Sequence, residues 1–199
     1  MKQNQTIKMV SSAMLAALVF VLGLTPLGII PLGFINVTIL CVPVIIGTLF
    51  LGLRTGLVLG GLFGLASVMS ALGMSMTAPS ALASALAAAN PLLLVLMCMI
   101  PRLAVPTVAA LVYRLLTRKK DCSVRAVPFA AAAGSLTNTV LYLGLMLLFY
   151  QMSGLDTLAV IGIIPGTALI AGSTEAAVAA IIVTPIMAAV WKKRRSERE

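Results

Sequence analysis

The sequence predicts an all-α integral membrane protein, a bundle of six transmembrane helices with both the N and C termini in the cytoplasm. Hydrophobic residues make up 61% of the 199 and charged residues only 10%, whereas a soluble domain keeps roughly a quarter of its residues charged. Two uncharged runs, 9–53 and 55–101, are each long enough for two helices of about 20 residues across the hydrocarbon core. With both termini inside, 13 of the 14 basic residues lie on the cytoplasmic side, as the positive-inside rule requires.

One membrane domain covers residues 1–199, with helices expected over 7–24, 36–51, 54–72, 92–116, 126–150 and 166–191. Strongly apolar runs form helices in lipid because helices satisfy their own backbone groups. Thr25 to Ile35 contains two prolines and two glycines, so the helix ends there. We expect an apolar loop at the outer face, either packed at the lipid interface or covering a ligand.

Residues 73–91 contain one short helix, from Ser80 to Ala89, with Pro79 at its start and Asn90-Pro91 at its end. At 1.5 Å per residue this helix is too short to cross a membrane. We expect it to be re-entrant or to lie on the outer surface, over a pocket or on lipid. Either position keeps the number of crossings even.

Several classes of function are excluded or disfavoured by what the sequence contains. The basic residues follow membrane topology, which argues against nucleic-acid binding. Three unpaired cysteines and no histidine make a metal site improbable. No phosphate-binding G-x-x-x-x-G-K-[ST] loop and no Ser/His/Asp set occur, so we expect neither an enzyme nor a bound cofactor. Any ATP is used by another chain.

Two stripes of small residues indicate helix packing. Gly52, Gly56, Gly60 and Gly64 recur every four residues, which lets another helix approach closely, and an intramolecular contact is the simpler interpretation. The first helix carries Ser12-x3-Ala16 and Ala13-x3-Ala17. Such small residues are common in membrane helices, but their place near the cytoplasmic end keeps a partner-docking role open.

Three polar side chains lie at membrane depth, where they are costly and normally face a cavity or each other. Arg102, Asn138 and Glu175 converge between the midplane and the outer surface when helix rise is measured from the inner boundary. Arg102 can bind a carboxylate bidentately, and Asn138 and Glu175 can bind hydroxyl or amide groups. Further polar lining of this pocket is expected from Thr137, Thr139, Asn90, Asn36, Thr38 and Tyr142.

Two alternatives to a ligand pocket remain open. Arg102 and Glu175 can form a structural ion pair between helices, and this pair is compatible with a ligand nearby. Glu175 can also relay protons in an ion-coupled carrier of a small organic acid, although the nearby arginine disfavours its protonation.

The order of several segments resembles the S components, or substrate-binding subunits, of energy-coupling factor (ECF) transporters. The resemblance rests on segments that span most of the chain: Leu24-Thr-Pro-Leu-Gly to Phe34-Ile-Asn, Val42-Pro-Val-Ile-Ile-Gly, Leu51-Gly-Leu-Arg-Thr-Gly, Ile100-Pro-Arg-Leu, Gly134-Ser-Leu-Thr-Asn-Thr and Glu175-Ala-Ala-Val. It implies a multi-pass protein of the bacterial plasma membrane that captures a vitamin from outside. It also implies a transmembrane coupling protein and two cytoplasmic ATPases as partners, with Ala13 and Ala17 docking to the coupling protein.

The Thr-Pro-Leu-Gly to Pro-Leu-Gly-Phe-Ile-Asn pattern is most similar to the pantothenate-type members of that family. Pantothenate carries one carboxylate, an amide and two hydroxyls, which suit Arg102, Asn138 and Glu175. Folate, a riboflavin-like vitamin or another small acid would suit a similar set. The alanine-rich stretch 80–89 departs from the pattern, because aromatic or polar pocket residues are expected there.

Overall fold

The computed structural model describes residues 2–31, 36–76, 80–117 and 123–196. Within these ranges the elements follow one another as α1 (Lys2–Leu24), β1 (Ile29–Pro31), β2 (Asn36–Thr38), α2 (Cys41–Leu51), α3 (Leu53–Ala71), α4 (Ala81–Ala89), α5 (Pro91–Thr117), α6 (Val127–Met152), α7 (Thr157–Gly166) and α8 (Gly172–Ser196). In this described part of the chain, five helical segments are long and apolar enough to cross a membrane, namely Thr6–Leu24, Leu53–Ala71, Pro91–Thr117, Val124–Met152 and Ala168–Lys192. The chain is therefore a helical, multi-pass membrane protein.

The predicted helix over 36–51 is wrong at its start. Residues 36–38 form β2, which pairs antiparallel with β1 so that Pro31 lies opposite Asn36, and α2 begins only at Cys41. Strand pairing prevails because Val37 and Thr38 are β-branched and favour extended backbone. The 11 residues of α2 rise about 16 Å, roughly half of the hydrocarbon core. A count of six crossings and the side on which the termini lie thus remain predictions.

The region before the last span also differs from the prediction of one helix over 166–191. Helix α7 was not predicted, residues Thr167–Ala171 form a π-helix, and α8 begins at Gly172. The Asp156 carboxylate accepts a hydrogen bond from the Leu158 N–H at 2.9 Å, which caps the start of α7. The cap was missed because one aspartate in a short apolar stretch gives little periodic signal.

The helices pack around two separate apolar cores. The first core draws its fully buried residues from α1, α2, α3, α5, α6 and α8, including Val19, Ile45, Leu59, Phe63, Val105, Ala109, Val127, Ala131, Ala179 and Val183. The second core joins α4 and α7 to α5 and α6 through Ala83, Leu86, Leu94, Met97, Cys98, Met146, Phe149, Tyr150 and Val160. The first core lies toward the basic ends of α5 and α6, and the second toward their opposite ends.

Helix α4 is bound to the bundle by one face. Leu86 is fully buried in the second core, and the Tyr150 hydroxyl donates to the Leu82 carbonyl at 2.6 Å. Ser84 and Ala85 on the other face are exposed. The short helix predicted between Pro79 and Asn90 is therefore present, Pro79 itself lying outside the described residues, and it packs on α5 and α6.

The glycine stripe of α3 brings this helix against α5. A Cβ at Gly60 would lie 2.6 Å from the carbonyl oxygen of Arg102, and one at Gly64 would meet the Met99 side chain. Gly56 faces Thr48 and Pro106 in the same way. The predicted intramolecular contact is confirmed at these three positions. Gly52 differs, because it is exposed and has a φ of 107°, where it joins α2 to α3.

Candidate functional site

Between the two cores lies a group of polar side chains that we call the polar layer, consisting of Arg102, Ser135, Asn138, Thr139 and Glu175. Four of them are among the buried polar residues of the chain, and Arg102 is half-buried. Along α6 the sequence passes from Ala131 in the first core through the polar residues to Met146 in the second. The polar layer thus lies between two apolar cores and carries side chains that can form hydrogen bonds.

Arg102 of α5 contacts two aromatic rings. Its guanidinium carbon lies 4.8 Å from the centroid of the Tyr142 ring and 5.3 Å from that of Phe63. Such cation–π contacts stabilise an arginine at this depth by about 0.5–2 kcal/mol each. They come from α6 and α3, so three helices fix the position of the cation.

The Arg102 guanidinium has N–H donors that are available to a ligand. Its Nη1 donates to the Met97 carbonyl at 3.5 Å, the long limit of a hydrogen bond. Its Nε is buried and has no hydrogen-bond partner within the described part of the chain. An arginine presents donors in a planar fork that matches a carboxylate, so this side chain is suited to bind an anionic group.

Three polar residues of α6 share one face. Ser135, Asn138 and Thr139 are spaced by three and four residues, which places them on the same side of a helix. The Oδ1 of Asn138 and the Oγ of Ser135 are buried and without hydrogen-bond partners among the residues that the structure describes. Leaving such groups unpaired costs about 1–3 kcal/mol each, so this face is incomplete without further polar partners.

Glu175 enters the polar layer from α8. The Thr139 hydroxyl lies 3.4 Å from its Oε2 and 3.5 Å from the Ser135 carbonyl, so this donor is shared between the two. Gly172 allows the approach, because a Cβ there would be 3.2 Å from the Thr139 methyl group. The π-helix Thr167–Ala171 directly precedes this contact, and such segments are frequent at functional sites.

Two contacts link the polar layer to α6. Glu175 of α8 contacts Thr139, the residue that follows Asn138 on α6, and Arg102 of α5 contacts the Tyr142 ring on α6. The convergence of Arg102, Asn138 and Glu175 on one ligand stays a prediction. Whether Arg102 and Glu175 form a structural pair stays a prediction.

The other predicted pocket residues divide into two groups. The Tyr142 ring contacts the Arg102 cation and so borders the polar layer. Thr137 lies two residues from both Ser135 and Thr139, on the opposite side of α6, and donates to the Ala133 carbonyl at 2.7 Å.

The remaining predicted residues are Asn90, before α5, and Asn36 and Thr38, in β2. The Asn90 Oδ1 accepts from the Leu92 and Leu93 N–H groups at 3.1 and 3.4 Å, which makes it the N-cap of α5. Of Asn36 and Thr38 only the backbone, in β2, belongs to the described structure. Ligand contacts of all the predicted residues remain predictions.

Sequence reasoning missed two residues of this region. Phe63 looked like any apolar residue of α3, and only the fold places its ring on Arg102. Ser135 could have been found, because it precedes Asn138 by three residues on a helix and therefore shares its face.

The helical bundle and its buried polar groups define a multi-pass membrane protein with a candidate small-molecule site. A family model described as "ECF transporter, substrate-specific component" matches residues 7–190. The chain belongs to this family, as the resemblance in its sequence indicated. No curated protein matches the chain. Substrate-specific components are transport subunits, so the chain is a substrate-binding subunit of a transporter rather than an enzyme.

Proposed function

We propose that this chain captures a small carboxylated vitamin of the pantothenate type in the polar layer and hands it to an ECF module. The observation that supports the proposal is the set of buried, unpartnered groups on two facing helices, the Arg102 Nε on α5 and the Asn138 Oδ1 on α6. A donor for an anion and an acceptor for a hydroxyl or amide then face one ligand. The fully buried apolar residues on either side keep water from competing for these groups.

The ligand's chemistry follows from the groups that are free to bind it. Arg102 fits a carboxylate, because its stacked plane leaves an edge of N–H donors available. Asn138 fits a hydroxyl or an amide N–H. Pantothenate supplies a carboxylate at one end and hydroxyls at the other. Folate carries carboxylates on a larger molecule, and riboflavin lacks a carboxylate. Both compounds therefore test whether the site selects pantothenate.

A thermal-shift screen of the purified chain against pantothenate, folate and riboflavin tests the proposal. We expect pantothenate to raise the melting temperature, because a ligand that binds only the folded state stabilises it by mass action. Arg102→Ala should abolish the shift, while circular dichroism shows that the helical content is retained. The exposed Arg54 offers a matched control, since Arg54→Ala removes a cation far from the polar layer. Absence of any pantothenate shift in the wild type would reject this vitamin.

The source of energy distinguishes this function from an ion-coupled carrier. We expect vesicles that contain this chain alone to show no ATP-driven uptake and no uptake driven by a proton or sodium gradient. When a coupling protein and two ATPases from an ECF module are added to the same vesicles, we expect ATP-dependent uptake of the vitamin, as in the bacterial plasma membrane. Gradient-driven uptake by the isolated chain would instead favour the carrier, with Glu175 as the proton site.

The proposed docking surface for the coupling protein is α1. Only 6% of the most apolar 18-residue stretch of α1 is buried, against 33% or more of the corresponding stretch in each of the other four long spans. Ala13 and Ala17 are exposed on this helix, and small side chains let a partner helix approach closely. We expect Ala13→Leu with Ala17→Leu to abolish co-purification with the coupling protein while the vitamin still raises the melting temperature.

A further inference from the structure

Ser135 differs from the hydroxyl residues that donate to a carbonyl of their own helix. Serine and threonine in a helix usually donate to the carbonyl four residues earlier. Thr48 and Thr184, for example, donate to Val44 and Ala180 at 2.7 and 2.6 Å. Ser135 is fully buried, with 0% of its surface exposed, and its Oγ has no partner within the described residues. A buried hydroxyl without a partner lowers the free energy of unfolding, so the stability of the fold does not account for a serine at this position.

The position of Ser135 in the bundle is tightly defined. A Cβ at its neighbour Gly134 would lie 3.2 Å from the Ala109 Cβ and 3.3 Å from the Val105 carbonyl oxygen. Helices α5 and α6 therefore approach closely at this point, and Ala131, one turn earlier, already belongs to the first core. Ser135 lies at the end of the polar layer that borders the first core, which we call its floor.

The three unpartnered groups of the polar layer differ in whether they donate or accept hydrogen bonds. The Nε of Arg102 is a donor and requires an acceptor. The Oδ1 of Asn138 is an acceptor and requires a donor. The Oγ of Ser135 can do either, and it lies one helical turn from Asn138. One end of the polar layer therefore fits an anion, while the Ser135–Asn138 end fits a group that donates hydrogen bonds.

We propose that Ser135 is a ligand-contacting residue that determines specificity at the floor of the polar layer. This inference rests on the proposed function, since it assigns the orientation of the same ligand. The carboxylate binds Arg102, and a hydroxyl at the far end of the ligand bonds to Ser135 and Asn138. The site then selects elongated monocarboxylates that carry a hydroxyl away from the acid group.

Isothermal titration with Ser135→Ala tests the assignment, using the tightest binder from a panel of pantothenate, folate and riboflavin. One lost hydrogen bond should weaken binding about fivefold to tenfold. The melting temperature of the ligand-free variant should be unchanged or higher, because an unpaired buried hydroxyl is removed. If pantothenate is the binder, analogues lacking either hydroxyl should be compared, and one of them should bind the wild type and Ser135→Ala equally.

Ser12→Ala is the matched control, since the Ser12 hydroxyl already donates to the Lys8 carbonyl at 2.8 Å on α1. It should leave the affinity unchanged. Equal ligand affinity of Ser135→Ala and wild type would overturn the inference but leave the proposed function standing. A loss of melting temperature in the ligand-free Ser135→Ala protein, with no analogue that equalises binding, would assign the serine to folding instead. If neither pantothenate nor folate binds the wild type, the proposed function falls, and this inference falls with it.

Discussion

Arg102 owes its orientation to aromatic rings as much as to hydrogen bonds. A guanidinium is planar and weakly hydrated, so it stacks on rings and keeps its edge for a carboxylate. The 4.8 and 5.3 Å contacts with Tyr142 and Phe63 supply such a frame. A lysine ammonium in this place would keep the charge but would lose the fork and be more strongly hydrated.

Arg102→Lys therefore separates charge from geometry. On the proposed function, we expect at least a tenfold weaker affinity for pantothenate, because a lysine could not bind its carboxylate bidentately. Isothermal titration measures the effect, with Arg54→Lys as the control at an exposed position. Retention of full affinity by Arg102→Lys would show that the site recognises only the positive charge.

At the scale of elements, the contact between α3 and α5 sets the position of Arg102. We expect Gly60→Ala to lower the free energy of unfolding by about 1–3 kcal/mol, because the new Cβ would lie 2.6 Å from the Arg102 carbonyl. The affinity for the ligand should also fall, because displacement of α5 moves Arg102. Gly61→Ala is the control on the same helix, since nothing lies within 4 Å of its Cβ position. Thermal unfolding in detergent measures both variants, and equal behaviour would contradict the packing argument.

Within the described residues, one side-chain hydrogen bond joins α4 to α6, in addition to the packing of Leu86 in the second core. Tyr150→Phe removes the donor to the Leu82 carbonyl, which should reduce the local stability of α4 by about 1 kcal/mol. Hydrogen exchange resolved by mass spectrometry should then be faster over 81–89 than in the wild type. The amides of α3 serve as the internal reference and should be unaffected. Unchanged exchange over 81–89 would show that Leu86 and the second core suffice to hold the helix.

Long helices were predictable from the sequence, and short elements were less so. Segments such as α3, α5 and α6 begin and end within two residues of the expected bounds, because hydrophobicity over about 20 residues is a strong signal. The hairpin and α7 were missed, since pairing between distant residues and a single Asp156 cap leave little trace in composition. In the site, depth along the helices predicted that Arg102, Asn138 and Glu175 converge. It could not reveal the ring of Phe63, which only packing between helices brings to the arginine.

For the whole molecule, the number of crossings depends on α2, the one shorter apolar helix of 10–17 residues beside the five long spans of the described structure. Residues 36–38 are extended in β2 and span about 10 Å, which added to the roughly 16 Å of α2 approaches a core of about 30 Å. We expect this composite segment to be the sixth crossing, with both termini in the cytoplasm. Fusions of green fluorescent protein, which fluoresces inside, and alkaline phosphatase, which is active outside, test each terminus. Phosphatase activity from either terminal fusion would contradict the six-crossing topology.

The unequal length of the helices has a consequence for how the protein is made. Each of the five long segments is apolar enough to enter the bilayer alone, since insertion of a helix precedes association between helices in the two-stage description. Helices α2, α4 and α7, with 11, 9 and 10 residues, cannot be retained there by themselves. They must fold against helices already in place, and α2 then brings Cys41, Val44 and Ile45 into the first core. The surroundings of the polar layer are therefore the last part of the bundle to be completed during biogenesis.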